Sequence, residues 1–281
     1  MKTADLHLHT IASDGAFSPS ELLGAARAAG LAAIAVTDHD SVESVAPALK
    51  LAPAFGMEVI AGIELSAEQD DSEVHILGYG FDFNDRALKA KLTSLRKARL
   101  KRTIVMLDKL AELGLDLPLM SVPSNSDRAM GRLHVAQAML KAGHVATIPE
   151  AFRKYIGRTG PAYVPKAKLT PVEAIELIAS LGGVAVLAHP FDIGKDELVE
   201  ELAGQGLGGL EVYYPAHRPE QVQRYLQMAR SYGLLVTGGS DCHGLNKDKV
   251  LIGSLQIPYR LVEKLKERFR FKSQKRQEPG E

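Results

Sequence analysis

Short apolar runs with strand character alternate along the chain with longer stretches in which apolar side chains recur at helical spacing. Seven such runs occupy residues 4–9, 32–37, 58–65, 74–79, 184–188, 210–214 and 234–238. The alternation predicts an α/β fold, and seven strands favour a seven-stranded (β/α) barrel. An open, doubly wound sheet has the same periodicity and remains the alternative.

Helix start signals precede two of the amphipathic stretches. Ser18 and Thr170 are placed as N-caps, and each is followed by a proline at the first helical position. Glu21 and Glu173, three residues after the caps, can complete capping boxes. The sequence therefore predicts helices that begin near residues 19 and 171.

Strand-like runs are absent between residues 85 and 168, where the sequence predicts a long basic helix and further helical stretches instead. We therefore predict a discontinuous barrel formed by residues 1–84 and 169–270. A helical, substrate-capping subdomain would be inserted at residues 85–168. The polar residues 271–281 are expected to be a frayed tail.

Composition narrows the class of protein. The 281 residues include 34 Lys or Arg and 34 Asp or Glu, so the balance argues against a non-specific nucleic-acid or membrane-surface protein. The single cysteine, Cys242, cannot form an intramolecular disulfide. Neither a signal-like N-terminus nor an apolar run of about 18 residues occurs. We expect a cytoplasmic protein with no membrane contact and no obligate protein partner.

Polar side chains that can ligate metals recur at or just beyond the C-terminal ends of the strand-like runs. His7 and His9 lie two residues apart, so a strand would point both imidazoles to one face. Ordinary interpretations also exist: Asp14 as a turn residue, and Asp40 or Ser41 as a helix N-cap. The recurrence favours a metal site, because barrel enzymes collect active-site residues at this end of the strands. The candidate ligands are His7, His9, Asp14, His39, Glu64, His75, His189, Asp241 and His243.

This set of imidazoles and carboxylates exceeds what a single tetrahedral ion needs. We expect two or three divalent ions, since bridging carboxylates in hydrolytic sites commonly hold ions about 3.5 to 4 Å apart. Mixed nitrogen and oxygen donors suit Mn²⁺, Fe²⁺ or Zn²⁺, and we favour Mn²⁺. Cys242 lies between two candidate ligands but is predicted to pack rather than to ligate.

Several short motifs follow one another along the chain: HLH, SDG, TDHD, GIELS, HILGY, AHP and GSDCHG. In this order they resemble the PHP (polymerase and histidinol phosphatase) family of phosphoesterases over most of the chain. The resemblance implies a distorted (β/α)7 barrel, the PHP fold, with three metal sites. The first would use His7, His9, Glu64 and Asp241, the second Glu64, His75 and His189, and the third Asp14, His39 and His243. Asp14 stands where some relatives have a histidine.

Three further segments, GRLHVAQAML, GPAYVPK and LEVYYPAH, resemble one branch of this family. That branch removes the 3′-phosphate of nucleoside 3′,5′-bisphosphates, converting pAp to AMP, and trims RNA from 5′ ends. Leu133 replaces the usual proline after Gly-Arg, and Cys242 replaces a bulky residue. The resemblance therefore implies a small phosphorylated nucleotide or a 5′-phosphorylated RNA end as the substrate.

Basic residues in the predicted insertion are candidates for phosphate binding. Arg99 and Arg102 lie three residues apart on one helix face, and Arg132 of the Gly-Arg motif is predicted to be the main phosphate clamp. A solvated helix face or ordinary packing would also account for these side chains. The candidate substrate contacts are Arg99, Arg102, Arg132, His134, Lys166 and His217.

We predict hydrolysis of phosphate monoesters by in-line attack of a metal-activated hydroxide. Catalysis would be carried through the metals by His7, His9, Glu64 and Asp241. The sequence has no Gly-x-Ser-x-Gly elbow and no P-loop. Three alternatives remain: a PHP phosphatase for another small ester such as histidinol phosphate, an exonuclease domain that accompanies a polymerase, and a non-catalytic nucleotide-binding PHP module.

Overall fold

The computed structural model describes residues 2–70, 72–122, 131–165, 169–246, 250–255 and 257–277. The chain forms two compact units, one comprising Met1–Lys89 with Leu169–Glu281 and the other Ala90–Lys168. The first unit is an α/β barrel and the second is helical. Within the described ranges, no helix is both long and apolar enough to cross a membrane.

Eight strands form one sheet in the order β7-β6-β5-β4-β3-β2-β1-β8. Strands β1 to β3 pair in parallel, as do β5 to β7, whereas β4 runs antiparallel to both of its neighbours. Strand β8 pairs antiparallel with β1. The strands are β1 Thr3–Asp5, β2 Ala33–Val36, β3 Glu58–Gln69, β4 Ser72–Tyr79, β5 Val184–Leu187, β6 Gly209–Tyr213, β7 Leu235–Gly238 and β8 Ile257–Pro258.

The sheet closes between its first and seventh strands. The N–H of Leu6 donates to the carbonyl of Gly238 at 3.2 Å, and the N–H of His9 donates to the carbonyl of Cys242 at 3.1 Å. Leu8 and Cys242 form a parallel bridge between the same two segments. These contacts nearly close the sheet, which confirms the predicted barrel in preference to the open, doubly wound sheet. Strand β8 is an addition that the sequence analysis did not predict.

Ten α-helices accompany the strands in the described part of the chain. The two predicted N-terminal caps are confirmed, because Ser18 and Thr170 each form a capping box with the glutamate three residues later. Helix α10 continues to Gln277, through most of the segment predicted to be frayed. The helices are α1 Pro19–Ala28, α2 Val45–Phe55, α3 Arg86–Glu112, α4 Arg132–Lys141, α5 Ile148–Ala151, α6 Pro171–Ser180, α7 Pro190–Ile193, α8 Glu197–Gly204, α9 Pro219–Ser231 and α10 Arg260–Gln277.

The expected helix start at Asp40 or Ser41 is wrong. Helix α2 begins at Val45, and Ser44 occupies the N-cap position. Asp40 instead has a positive φ of 47°, and its Oδ1 accepts a hydrogen bond from the N–H of Ser66 at 3.0 Å. Asp40 therefore fixes the turn after β2 against strand β3.

Alternate residues of the barrel strands enter different apolar clusters, as the two-residue period of a strand requires. Ala33 and Ala35 of β2 lie in a cluster with side chains of β1, β3, β4, β5 and α10. Ile34 and Val36 lie in another cluster, with side chains of α1 and α2. The barrel strands are thus buried on both faces, which leaves their ends as the place for polar chemistry.

The helical unit has its own apolar core, which includes Met106, Leu110, Val135 and Met139. A π-helical turn, Phe152–Ile156, follows α5 directly. The role of the helical unit as a substrate cap stays a prediction.

Candidate metal centre

The candidate ligands gather at one end of the barrel, although two of them do not follow C-terminal strand ends as predicted. His75 lies near the start of β4, and because β4 runs antiparallel, its start adjoins the C-terminal end of β5. The N–H of Ala188 donates to the carbonyl of His75 at 3.0 Å. Glu64 lies in the middle of β3, which continues to Gln69 as a hairpin with β4.

Glu64 is the centre of the cluster. Its Oε2 atom lies 3.2 Å from each of three imidazole nitrogens: Nε2 of His7, Nε2 of His9 and Nδ1 of His39. Nε2 of His9 also lies 3.1 Å from Oδ1 of Asp241. A carboxylate oxygen has two lone pairs and a ring nitrogen carries at most one proton, so hydrogen bonds cannot satisfy all these contacts together.

A divalent cation fits these atoms. Nε2 of His7, Nε2 of His9, Nδ1 of His39 and Oε2 of Glu64 are buried and form no hydrogen bond of acceptable geometry among the described residues. Two ligands of one ion, each about 2.1 Å from it at tetrahedral or octahedral angles, lie about 3.0 to 3.4 Å apart. The observed separations match this range. His7, His9, Glu64 and Asp241 therefore form a group that can hold an ion.

A second group surrounds the other oxygen of Glu64. Oε1 lies 2.9 Å from Nδ1 of His75 and 3.3 Å from Nε2 of His189. The two ring nitrogens are themselves 3.3 Å apart. His39 also belongs here, because its ligand atom lies within 4.8 Å of those of Glu64 and His75.

The third group consists of His9, Asp14, His39 and His243. Oδ1 of Asp14 lies 3.3 Å from Nε2 of His243 and 3.6 Å from Nδ1 of His9. Nδ1 of His243 donates to the backbone carbonyl of Asp241 at 2.8 Å, which leaves Nε2 as the ligating atom. The structure thus brings all nine predicted residues together, with His9 and His39 each shared between two groups.

Without metal, the site is a dense network of opposite charges. Burial lowers the pKa of His9, but Asp241 and Glu64 outweigh burial and raise it to about 10. Glu64 likewise outweighs burial at His75 and raises its pKa to about 9. Burial dominates at His39 and lowers its pKa to about 3. Cations bound here would replace protons that the carboxylates otherwise retain on the imidazoles.

Two buried carboxylates support the ligands, and the sequence analysis gave neither of them a role. Asp38 accepts hydrogen bonds of 2.7 Å from the N–H and the hydroxyl of Thr10 and from the hydroxyl of Ser13. It therefore shapes the turn that carries Asp14. Glu211 contacts Nδ1 of His7 at 3.0 Å. The signal for Glu211 was a carboxylate within the apolar run GLEVY, where an unpaired charge would be costly.

Two of the candidate ligands lie on unusual backbone. His189 has a φ of 25° and Asp241 a φ of 50°, both in the left-handed region that non-glycine residues rarely adopt. Such backbone conformations cost of order 1–3 kcal/mol and tend to occur at functional sites. Cys242, beside Asp241, is buried in the apolar cluster with Leu8, in agreement with its predicted packing role.

Four of the predicted substrate contacts are described residues of the helical unit. The guanidinium of Arg132 lies 5.7 Å from the ring centre of Phe152 and 5.9 Å from that of Tyr163. Arg102 is buried, and its Nε donates to the carbonyl of Val164 at 2.7 Å. The remaining two are Arg99, which is half-buried, and His134, whose Nδ1 accepts from the N–H of Gly131 at 3.2 Å and so caps α4.

Of the other two candidates, His217 is among the described residues and Lys166 is not. His217 belongs to the barrel, and its Nδ1 donates to the carbonyl of Val212 at 2.8 Å. Its ring lies 5.2 Å from that of Tyr214, and Tyr214 in turn lies 5.4 Å from the ring of His189. Lys166 lies outside the described residues. Contact of any of these six side chains with substrate stays a prediction.

Comparison with known proteins places this arrangement in a family. The PHP domain matches residues 5–120. The chain is 32% identical over 257 residues to the 3′,5′-nucleoside bisphosphate phosphatase of Chromobacterium violaceum, with 86% of this chain and 88% of that protein covered. The chain belongs to the PHP family. The PHP barrel also resembles the 5′-3′ exoribonuclease of Haemophilus influenzae, at 31% identity over 247 residues, 86% of this chain and 90% of that protein.

A solved structure supports the same assignment for this PHP protein. A Bifidobacterium adolescentis protein described as a candidate metal-dependent phosphoesterase matches it with a TM-score of 0.83 and 30% identity, covering 95% of this chain and 96% of the other. The predicted family and barrel are therefore confirmed. This PHP protein is an enzyme of the metal-dependent phosphoesterase class.

Proposed function

We propose that this PHP enzyme removes the 3′-phosphate of nucleoside 3′,5′-bisphosphates and converts pAp to AMP. The observation that carries the phosphoesterase chemistry is the convergence of three imidazole nitrogens on Oε2 of Glu64. The choice of substrate is supported by similarity to the Chromobacterium violaceum bisphosphate phosphatase over most of both chains.

When bound, divalent ions supply Lewis acidity: they bring the pKa of a water near neutrality and offset the charge of phosphoryl oxygens. His7, His9 and Asp241 would hold one ion together with Oε2 of Glu64, and Oε1 of Glu64 would contribute to the second ligand group. Cys242 is buried in apolar surroundings and its Sγ accepts from the N–H of Gly244, so it is not placed to act as a covalent nucleophile. The attacking group is therefore water.

We propose Mn²⁺ as the working ion. The ligand set lacks a thiolate and includes three carboxylates, the donors that suit Mn²⁺, whereas its imidazoles also suit Fe²⁺ and Zn²⁺. Asp14 adds an oxygen donor to a group otherwise made of His9, His39 and His243. Fe²⁺ and Zn²⁺ are the competing ions, and metal substitution into chelator-treated enzyme tests the order.

Substrate recognition is assigned to the predicted basic residues, chiefly Arg132. Its guanidinium is held over two aromatic rings, an arrangement that favours a planar cation and restricts its rotation before ligand binds. We propose that it binds the phosphate that is not cleaved.

A second substrate class is 5′-phosphorylated RNA. It is favoured by similarity to the exoribonucleases of Haemophilus influenzae and Escherichia coli, at 31% and 29% identity. A nucleoside bisphosphate and a 5′-phosphorylated RNA end share a 5′-phosphate on one nucleotide and a phosphate ester at its 3′ oxygen. One site could therefore act on both.

Phosphate release from adenosine 3′,5′-bisphosphate with Mn²⁺ tests the proposal. AMP, 3′-AMP, histidinol phosphate and a short 5′-phosphorylated RNA serve as comparison substrates, each with a chelated control. We expect rapid, chelator-sensitive conversion of the bisphosphate to AMP. Silence on the bisphosphate together with turnover of another ester would reject the substrate while leaving the metal chemistry in place.

Two variants connect that activity to the cluster. His9→Ala and Asp241→Asn are each expected to remove most turnover while the fold survives, because each deletes a ligand charge or nitrogen. Asp108→Asn, at an exposed position on α3, is the matched control and should behave as the parent enzyme. Full activity in either cluster variant would contradict the assignment.

A further inference from the structure

Glu211 is a fully buried carboxylate that contacts two metal-ligand candidates through different oxygens. It lies on β6 and is 0% exposed. Its Oε1 lies 3.0 Å from Nδ1 of His7, and its Oε2 accepts a hydrogen bond from the backbone N–H of His189 at 2.8 Å. His7 follows β1 and His189 follows β5, so one side chain connects ligands from two distant strands.

The contact with His7 determines which ring nitrogen can ligate. An ionised carboxylate only accepts hydrogen bonds, so Nδ1 of His7 must carry the proton that faces Glu211. In the neutral ring that can ligate an ion, Nε2 then carries the lone pair, and it faces Oε2 of Glu64 at 3.2 Å and Oδ1 of Asp241 at 3.5 Å. Carboxylates placed in this way behind a ligating histidine fix its orientation and raise its basicity.

The contact with His189 acts on the backbone. His189 has φ 25° and ψ 62°, a conformation that needs support from its surroundings. The hydrogen bond from its N–H to Glu211 supplies such support. In this conformation Nε2 of His189 lies 3.3 Å from Oε1 of Glu64.

We propose that Glu211 is a positioning residue that sets the tautomer of His7 and the backbone of His189 at the same time, without itself touching an ion. The two effects occur in different ligand groups, one around each oxygen of Glu64. The proposal rests on the metal cluster but not on the substrate proposed above, and binding of Mn²⁺ alone tests it.

Glu211→Gln separates the two effects. The N–H of His189 can only donate, so the amide oxygen of the glutamine must face it. The amide NH₂ then faces His7 and can only donate to Nδ1, which moves the proton of His7 to Nε2 and blocks that nitrogen. We expect Mn²⁺ affinity to fall about 10- to 100-fold at one site, while the remaining ions bind as in the parent protein.

Glu211→Ala removes both contacts, so it should weaken two sites rather than one. Glu58→Gln is the matched control, because Glu58 is the first residue of β3 and contacts Tyr259 and Lys266 rather than the cluster. It should bind Mn²⁺ as the parent does. Calorimetric titration of chelator-treated full-length protein, with thermal denaturation of each variant, measures these differences.

Two results would overturn the proposal. One is parental Mn²⁺ binding by Glu211→Gln. The other is an equal loss at the same sites in the glutamine and alanine variants, which would indicate a purely space-filling side chain. Should both variants fail to fold, ¹⁵N NMR of the parent protein loaded with Zn²⁺ decides the matter: a proton on Nδ1 of His7 supports the proposal, and a proton on Nε2 refutes it.

Discussion

Gly239→Ala tests whether the barrel seam positions the metal ligands. Gly239 follows β7 directly, and its N–H donates to the carbonyl of Tyr213 at 3.0 Å. A Cβ atom built on Gly239 would lie 2.2 Å from Cβ of His7 and 2.4 Å from its backbone nitrogen. Both contacts are with the segment that carries the first ligand pair, and neither involves the far end of a flexible side chain.

The displacement follows from these distances. Carbon atoms in ordinary contact are separated by about 3.5 Å or more, so His7 and Gly239 must move apart by about 1.3 Å. Metal sites tolerate deviations of roughly 0.2 Å in ligand distance. A 1 Å misplacement in an active site can cost about 100-fold in rate. Overpacking of this kind typically costs about 1–3 kcal/mol of stability, which leaves a folded protein.

Gly239→Ala should therefore remain folded but lose Mn²⁺ affinity and about 100-fold or more in kcat. Gly24→Ala is the control. Gly24 lies within helix α1, and a Cβ atom built on it would meet only Cε1 of Phe55, at 3.9 Å. That substitution should raise the melting temperature slightly, since alanine favours a helix interior by about 0.5–1 kcal/mol over glycine. Parental metal affinity and turnover in Gly239→Ala would refute the reasoning.

Two further predictions concern protons and substrate. In the metal-free protein the pKa values of His9, about 10, and His75, about 9, lie above the ordinary 6.5. The positive charges of these two rings therefore stabilise the fold fully below about pH 6.5. This stabilisation is lost as the pH rises through the two raised pKa values. Ions must displace these protons, so the rise in melting temperature caused by Mn²⁺ should grow between pH 6.5 and 8.5 by scanning fluorimetry; an equal rise at both pH values would contradict this. Arg132→Ala should lower kcat/KM about 10- to 100-fold for the bisphosphate and less for a generic phosphate ester, whereas equal losses would mark a structural role against Phe152 and Tyr163.

Local signals account for the parts of the fold that the sequence predicted well. Ser18 and Thr170 form the predicted capping boxes because the cap, the proline and the glutamate act within one helical turn. The seven barrel strands are apolar because both of their faces are buried. These features depend on near neighbours in the chain and can be inferred without knowing the fold.

Strand direction was not predictable in the same way. Nothing within the HILGY segment indicates that β4 runs antiparallel to β3 and β5, because the direction is decided by a tight hairpin between β3 and β4. His75 consequently reaches the cluster from the start of its strand. Strand β8 has only two residues and pairs with β1, so its apolar pattern is too short to be recognised as a strand from the sequence.

The supporting residues were missed for a related reason. Glu211 follows no ligand motif, and its partners His7 and His189 are brought to it only by the closed barrel. The positive φ values of His189 and Asp241 likewise depend on surrounding structure, since non-glycine residues seldom adopt them from local preference. The residues that gather at the candidate metal centre could be inferred from the sequence, but the residues that orient them could not, because their contacts form only in the folded barrel.

The cluster lies where the first and seventh strands of the barrel meet, so residues from distant parts of the chain contribute to one group of candidate ligands. Glu64 and His75 are joined by a short hairpin, whereas His7 and Asp241 are separated by most of the chain. By loop-closure entropy alone, bringing the second pair together costs about 3 kcal/mol more than the first. A cation held by His7 and Asp241 would lie where Leu8 and Cys242 form the bridge between the first and seventh strands. An ion held by both residues would link two segments that are far apart in sequence, so a barrel without its ions should open first where its first and seventh strands meet.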